Sequence, residues 1–135
     1  MSSIADMDHH SKHLGMRIVT ASSLEVVLEW TIGPEHRQPH GIVHGGVHCS
    51  AIETACSIGA SISASEREAG WGAVGLENHT SFIRGAREGT LTATAKPLTR
   101  GRTTQVWECE IRDSEQRLVA TGRMRLLCVK NDALP

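Results

Sequence analysis

Aromatic side chains and excess charge are what this chain has least of. Its 135 residues include three Trp, one Phe and no Tyr, and its 14 basic residues nearly balance 15 acidic ones. A nucleic-acid-binding protein usually shows a strong basic excess and stacking rings, so no nucleic-acid partner is expected. The length allows a single domain, residues 1–135, whose core must be built from aliphatic and small side chains.

The cysteines lack the spacing of a cross-linked or metal-binding scaffold. No Cys-x-x-Cys pair occurs among the four, which are Cys49, Cys56, Cys109 and Cys128. A disulfide framework or a structural zinc site is therefore not expected. We interpret all four as small, reduced core residues of a cytosolic protein.

Targeting and membrane-spanning segments are also missing. The first ten residues carry Asp6, Asp8, His9 and His10 in place of a basic stretch followed by an apolar run, which favours a cytoplasmic location over secretion. The stretch GGVHCSAIETACSIGASISAS, residues 45–65, contains no Lys or Arg and a single acidic residue. Six Ser and Thr residues make it too polar to span a membrane, so no membrane partner is expected.

That same stretch predicts one long helix inside a soluble domain. Its small side chains recur every four residues, at Ala51, Ala55, Gly59 and Ser63. Such a stripe permits close packing against a neighbouring element. The polar residues and the glycine of Glu66–Gly70 predict where the helix ends.

The rest of the chain has the period-two pattern of strands. Apolar residues alternate with polar ones from Leu24 to Ile32, and Met16–Thr20 is a possible partner strand. Four more strands are predicted after the helix, over Ala73–Ile83, Thr90–Lys96, Thr103–Arg112 and Leu118–Val129, in the spacing of a meander. The turns between them are predicted at Gly85–Gly89, Pro97–Gly101 and Asp113–Gln116. The fold class predicted is α+β, an antiparallel sheet wrapped around one helix.

Glu53 is the only charged residue in the predicted helix stretch. A buried carboxylate is unfavourable unless it is paired or used, and no Lys or Arg lies three or four residues away to pair with it. The helix begins at His44, Gly45 and Gly46, where free backbone amides at its positive end can bind an oxyanion. A structural charge and a tight turn are the alternative interpretations of these two features.

The spacing of these residues has a geometric consequence. Gly45 and Glu53 are eight residues apart in the sequence, which is about 12 Å along a helix axis. One substrate carbonyl cannot contact both in the same chain. If both act on one substrate, Glu53 must come from a second subunit whose helix runs antiparallel, at a two-fold interface.

The stretch QPHGIVHGGVHCSAIETACS resembles the signature of the hotdog-fold acyl-CoA thioesterases of the phenylacetic-acid-degradation (PaaI-like) type. That signature has a polar Asn or Gln, then His-Gly-Gly at the helix start, then Asp or Glu nine residues after the His. Here those positions are Gln38, His44-Gly45-Gly46 and Glu53. The similarity extends over roughly Gly15 to Val129, and its combined motif is specific.

The resemblance implies a role for each matching position. Gly45 would offer its N–H to the thioester carbonyl, Gly46 would let the substrate approach, and Gln38 would polarise the carbonyl. Glu53 would act as general base or as nucleophile. Ser57 would help place the water, and His44 would orient the loop. Gln38 with Glu53 resembles the aryl-CoA branch, typified by 4-hydroxybenzoyl-CoA thioesterases.

The resemblance also implies an acyl-CoA substrate, no cofactor or metal, and a homodimer that pairs into a homotetramer. A basic segment fits the phosphates of CoA, because residues 84–102 hold five basic residues and one acidic residue, a net charge of +4. The family's nucleotide lies near the loop that here reads TRGRT. The expected contacts are Arg100, Gly101, Arg102 and Thr103, with Arg84 second.

Two other interpretations of the residues stay open. A hotdog-fold hydratase would share the architecture, and a non-catalytic acyl-CoA-binding protein would share the site. His36, His40, His44 and His48 recur every four residues like a metal-binding stripe, but Pro39, Gly41 and Gly45 interrupt any helix that could carry it.

Overall fold

A computed structural model describes residues 7–133 as two helices and six strands. Residues 1–6, which include Asp6 of the N-terminal targeting pattern, and residues 134–135 lie outside the described part. The elements are α1 (His9–His13), β1 (Arg17–Ala21), β2 (Val26–Thr31), α2 (Gly45–Arg67), β3 (Trp71–Phe82), β4 (Thr90–Arg100), β5 (Thr104–Arg112) and β6 (Leu118–Lys130). Short 3₁₀ turns cover Pro34–His36 and Asn131–Ala133.

The strands form one antiparallel sheet in the order β1-β2-β4-β5-β6-β3. The predicted class, one α+β hotdog fold with a single long helix, is confirmed. The predicted meander of the last four strands is wrong for β3. The chain passes along α2 before β3, so β3 joins the far edge beside β6, while β4 pairs with β2.

Helix α2 covers one face of the sheet, and the core lies between them. Its buried residues include Ala51, Ile52, Ala55, Cys56 and Ala60, all fully buried. Alternate residues of the strands are buried against the helix, as the period of two predicts: Val26, Leu28, Trp30, Leu91, Ala93, Ala95, Trp107, Cys109 and Ile111. The helix begins at Gly45 as predicted and ends at Arg67, two residues beyond Ser65.

The stripe of small residues on α2 lets the indole of Trp107 lie directly against the helix. A Cβ on Gly59 would overlap the Trp107 ring, so only glycine permits this approach. Gln105 fixes the indole, because its Oε1 accepts from Trp107 Nε1 at 2.9 Å and its Nε2 donates to the Ala60 carbonyl at 3.0 Å. These contacts therefore fix the position of the helix relative to the sheet.

Two strand boundaries differ from the sequence prediction. Leu24 is 62% exposed and lies outside β2, because the Ser22 hydroxyl accepts hydrogen bonds from the N–H groups of Leu24 and Glu25 and bends the chain. The turn predicted over Pro97–Gly101 is also misplaced. Strand β4 continues to Arg100, and a register shift between Pro97 and Thr99 accommodates the proline.

The cysteines are only partly the core residues expected. Cys56 and Cys109 are buried, but Cys49 and Cys128 are half-buried. A hydrogen bond with Cys109 raises the pKa of Cys56, and burial raises it further. Within residues 7–133 no helix has the length and apolar character needed to cross a bilayer.

Candidate active site

The N-terminus of α2 is built by an ordered loop. His44 caps the helix, and its Nδ1 accepts from the Gly46 N–H at 2.8 Å. The preceding turn is held by the buried His36, whose Nδ1 accepts from the Gly33 N–H and whose Nε2 donates to the Leu14 carbonyl. The His44 N–H in turn donates to the His36 carbonyl at 2.7 Å. His44 is therefore bonded to the preceding turn through its backbone and to the first turn of α2 through its side chain.

A cavity of about 290 Å³ opens at this helix end. We call it the Gly45 cavity, and its lining includes Gln38, Gly45, His48, Phe82 and Arg84. The Gly45 N–H has no acceptor within residues 7–133, which leaves it free to bind a ligand oxygen. Gln38 Oε1 accepts from the His40 N–H, which fixes the side chain of Gln38. Gly46 is not free in the same way, since its N–H already serves His44.

The sequence does not point to two members of this lining. The ring of Phe82, at the end of β3, lies over Gly45 where any Cβ would stand. His48 lies behind that ring, 3% exposed, with its ring centroid 6.1 Å from that of Phe82. Phe82 is the only Phe in the sequence, and this rarity is the one feature that could have drawn attention to it. His48 belongs to the four histidines spaced every four residues, a spacing that the fold shows to be accidental. Of these four, only His48 lies within α2.

Glu53 lies on a different side of α2 and opens into its own cavity. We call this 360 Å³ space the Glu53 cavity; its lining includes Asp8, His10, Ser50, Thr54 and Ser57. The expectation that Glu53 is buried is wrong for the single chain, where its side chain is exposed. The reason is that Glu53 lies away from the face of α2 that meets the sheet.

The N-terminal segment forms one wall of the Glu53 cavity. Ser50 donates to the Gly46 carbonyl at 2.9 Å, so its hydroxyl accepts from His10 Nε2 at 2.8 Å. Ser11 bonds Asp8 at 3.0 Å and Thr54 at 2.7 Å. Burial opposes the charge on Asp8, but the hydrogen bonds from Ser11 outweigh it, and the pKa of Asp8 lies below its usual value.

The basic segment 84–102 does not form one patch in the chain. Arg84 precedes β4 and Arg102 follows it, and the eleven residues of β4 span roughly 35 Å. Arg84 lines the Gly45 cavity, and Lys96 pairs with Glu25 at 3.6 Å. Arg84 and Arg102 therefore lie at opposite ends of this strand within one chain.

A third cavity, of about 350 Å³, lies at the C-terminal end of α2. Arg102 and Gly101 line it together with Arg67, Trp71 and Cys128, and we call it the Arg102 cavity. Arg100 and Thr103 are exposed on either side of these two residues. The carbonyl of Arg100 accepts from Arg67 Nη2 at 2.9 Å. Among residues 7–133, no group of three His, Cys, Asp or Glu side chains is placed to hold a metal ion.

The Gly45 N–H and the Glu53 carboxylate therefore lie on one helix but face different cavities. Gly45, Gln38 and Arg84 meet in the Gly45 cavity, while Glu53 and Ser57 meet in the Glu53 cavity. An unsatisfied N–H at a helix N-terminus can stabilise an oxyanion. An exposed carboxylate can act as base or nucleophile.

Comparison with known proteins identifies the family of this chain. A family model described as the Thioesterase superfamily matches residues 40–120. A 1,4-dihydroxy-2-naphthoyl-CoA hydrolase from Listeria monocytogenes is 32% identical over 117 residues, which cover 87% of this chain and 93% of that protein. A thioesterase structure from Haemophilus influenzae has a TM-score of 0.83 at 31% identity, covering 90% of this chain and 83% of its own.

A further solved structure gives the same result. The PaaI protein from the phenylacetic acid degradation operon of Escherichia coli has a TM-score of 0.80 at 27% identity, covering 90% of this chain and 85% of its own. The match to the family model spans more than half of the chain and includes both Gly45 and Glu53. This chain belongs to the thioesterase superfamily and is a thioester hydrolase.

Proposed function

We propose that this enzyme hydrolyses the thioester of an aryl- or medium-size acyl-CoA, giving the free acid and CoA. The pair of Gln38 and Glu53, which resembles the aryl-CoA branch, supports this substrate class. So does the relative named as a 1,4-dihydroxy-2-naphthoyl-CoA hydrolase.

Gly45 and Gln38 polarise the thioester in this proposal. The carbonyl oxygen accepts from the Gly45 N–H, and Gln38 holds the same group. When a nucleophile adds to the carbonyl carbon, the carbonyl electron pair moves to this oxygen. It returns as the carbon–sulfur bond breaks, and the departing CoA thiolate takes up a proton.

Glu53 supplies the nucleophile by one of two routes. As general base it removes a proton from water, which adds to the carbonyl carbon, with Ser57 placing the water. As nucleophile its carboxylate adds directly and forms a mixed anhydride, which water then hydrolyses back to the free Glu53 and the acid.

The observation that carries the proposal is the separation of Gly45 from Glu53. They are eight residues apart on α2, about 12 Å along its axis, and line different cavities. One thioester therefore reaches both only if Gly45 comes from one subunit and Glu53 from another. We propose a homodimer with two such sites, which pairs into a homotetramer.

The exposed edge of the sheet offers a surface for that second subunit. Strand β3 pairs with β6 on one side, and no strand within residues 7–133 pairs with its other edge. Leu76, Phe82 and Ile83 are exposed along it, at 44%, 58% and 55%. A strand of twelve residues that has one unpaired edge and exposed apolar side chains is a template for pairing with another copy.

We place the phosphates of CoA at the Arg102 cavity, with Arg100, Gly101, Arg102 and Thr103 as contacts. Arg84 is too far from them along β4 to share the same phosphate within one chain. It remains a candidate for the part of the ligand that enters the Gly45 cavity.

A thiol-release assay tests the proposal. The enzyme is given benzoyl-, phenylacetyl- and palmitoyl-CoA, and free CoA is measured with a thiol reagent. We expect hydrolysis of the aryl substrates and its loss in Glu53→Gln. Binding without release would favour a non-catalytic acyl-CoA-binding protein, and hydration of an enoyl-CoA without release would favour a hydratase.

A further inference from the structure

His48 is the most confined polar side chain of the Gly45 cavity. It is 3% exposed and packed between two rings, with centroids 6.4 Å away at Trp30 and 6.1 Å away at Phe82. Its Nδ1 is buried with no hydrogen-bond partner within residues 7–133. A buried polar atom without a partner is unfavourable, and in native proteins such an atom needs an explanation.

The environment keeps the imidazole uncharged. Burial lowers the pKa of His48 to about 4. At neutral pH the ring therefore has one N–H donor and one acceptor nitrogen. Arg84 is the charged residue that lines the same cavity.

The position of His48 relates it directly to the free amide. Residues 45 and 48 are three apart at the start of α2, so they lie on the same face of the helix. Both line one cavity, together with Gln38. The ring of Phe82 covers Gly45 and approaches His48, and so connects the two positions.

We propose that the His48 imidazole hydrogen-bonds the thioester of the bound acyl-CoA, as a second donor beside the Gly45 N–H. The inference rests on the proposed function and adds a residue to it. A neutral imidazole can stabilise the negative charge that develops on the carbonyl oxygen without transferring a proton to it. The surrounding rings hold it in place, so the donor needs no reorganisation when the nucleophile adds.

Three substitutions at this position test the proposal. His48→Leu removes both nitrogens and keeps a comparable volume. His48→Asn offers an amide near the position of Nδ1, and His48→Gln offers one near Nε2. His13→Leu, which removes an exposed histidine on α1, is the matched control. Steady-state kinetics with benzoyl-CoA and thermal unfolding are measured for each.

A donor to the transition state predicts a specific kinetic pattern. His48→Leu lowers kcat and kcat/KM together by about 100-fold, with KM within about twofold of the wild type. One of the two amide variants restores at least about tenfold of this loss, and its identity shows which ring nitrogen donates. His13→Leu keeps the wild-type rates.

Two outcomes overturn the proposal. One is a folded His48→Leu enzyme whose kcat stays within about twofold of the wild type. The other is a set in which all three variants lose stability and activity alike, which makes His48 a packing residue only. If the wild type itself releases no thiol, the proposed function has failed. If the wild type releases thiol and His48→Leu releases it at nearly the same rate, only this inference has failed.

Discussion

The buried His48 makes a prediction about stability at mildly acidic pH. Its pKa falls from 6.5 to about 4 in the folded chain, so the folded state binds fewer protons than the unfolded state between these values. Unfolding then takes up a proton, and the free energy of unfolding decreases as the pH falls below 6.5. The sign is that of a group held neutral by burial.

The size of the effect follows from the same shift. From pH 7.5 to pH 5, the histidine contributes a loss of about 2 kcal/mol, and the full loss by pH 4 is about 3 kcal/mol. Replacing His48 by Gln removes this contribution. The free energy of unfolding of His48→Gln is therefore expected to change less between pH 7.5 and pH 5 than that of the wild type, by about 2 kcal/mol.

Urea unfolding followed by tryptophan fluorescence measures the difference, because Trp30 and Trp107 are both buried. Protein concentration is held constant, since subunit association also contributes to stability. His13→Gln controls for the loss of an exposed histidine. The reasoning is refuted if wild type and His48→Gln lose the same stability over this pH range.

Three further predictions follow from named contacts. Glu53→Gln lowers turnover by about 10²–10⁴-fold, because the amide can act neither as a base nor as a nucleophile. The free energy of unfolding changes by no more than about 0.5 kcal/mol, since the two side chains have the same shape; a large loss of stability would contradict this. Gly59→Val lowers the free energy of unfolding by about 1–3 kcal/mol, since its side chain displaces Trp107, and an unchanged urea midpoint would show that the helix can move away. Arg102→Glu raises KM for acyl-CoA about tenfold with kcat unchanged, whereas the same change at Arg123 on β6 leaves KM alone; equal effects would indicate net charge only.

The fold could be predicted because its patterns are local. The run from Gly45 to Ser65 contains one charge and a four-residue stripe of small side chains, which is enough to define α2. The alternation in β4, β5 and β6 defines three strands and the face that each buries. The position of β3 could not be predicted in this way. Strand order depends on which edge of the sheet the chain joins after the helix, and the periodicity of the residues carries no information about that.

The candidate site was predicted to a similar degree, and for a similar reason. Gly45 and Glu53 belong to a continuous motif, and their spacing on a helix is fixed by its geometry. Glu53 is exposed rather than buried because it lies away from the face of α2 that packs on the sheet, at an open cavity of which the N-terminal segment forms one wall. His48 and Phe82 come together only through the pairing of β3 with β6, so the sequence gives no direct sign of their contact.

The central claim is that each active site combines Gly45 of one subunit with Glu53 of another. Its most direct test is to mix two inactive variants, Gly45→Val and Glu53→Gln, after unfolding and refolding them together so that subunits exchange. A heterodimer then has one intact site, and random mixing predicts about a quarter of the wild-type activity per subunit. Activity that stays at the level of the two separate variants, in a mixture shown to contain heterodimers, would contradict the claim.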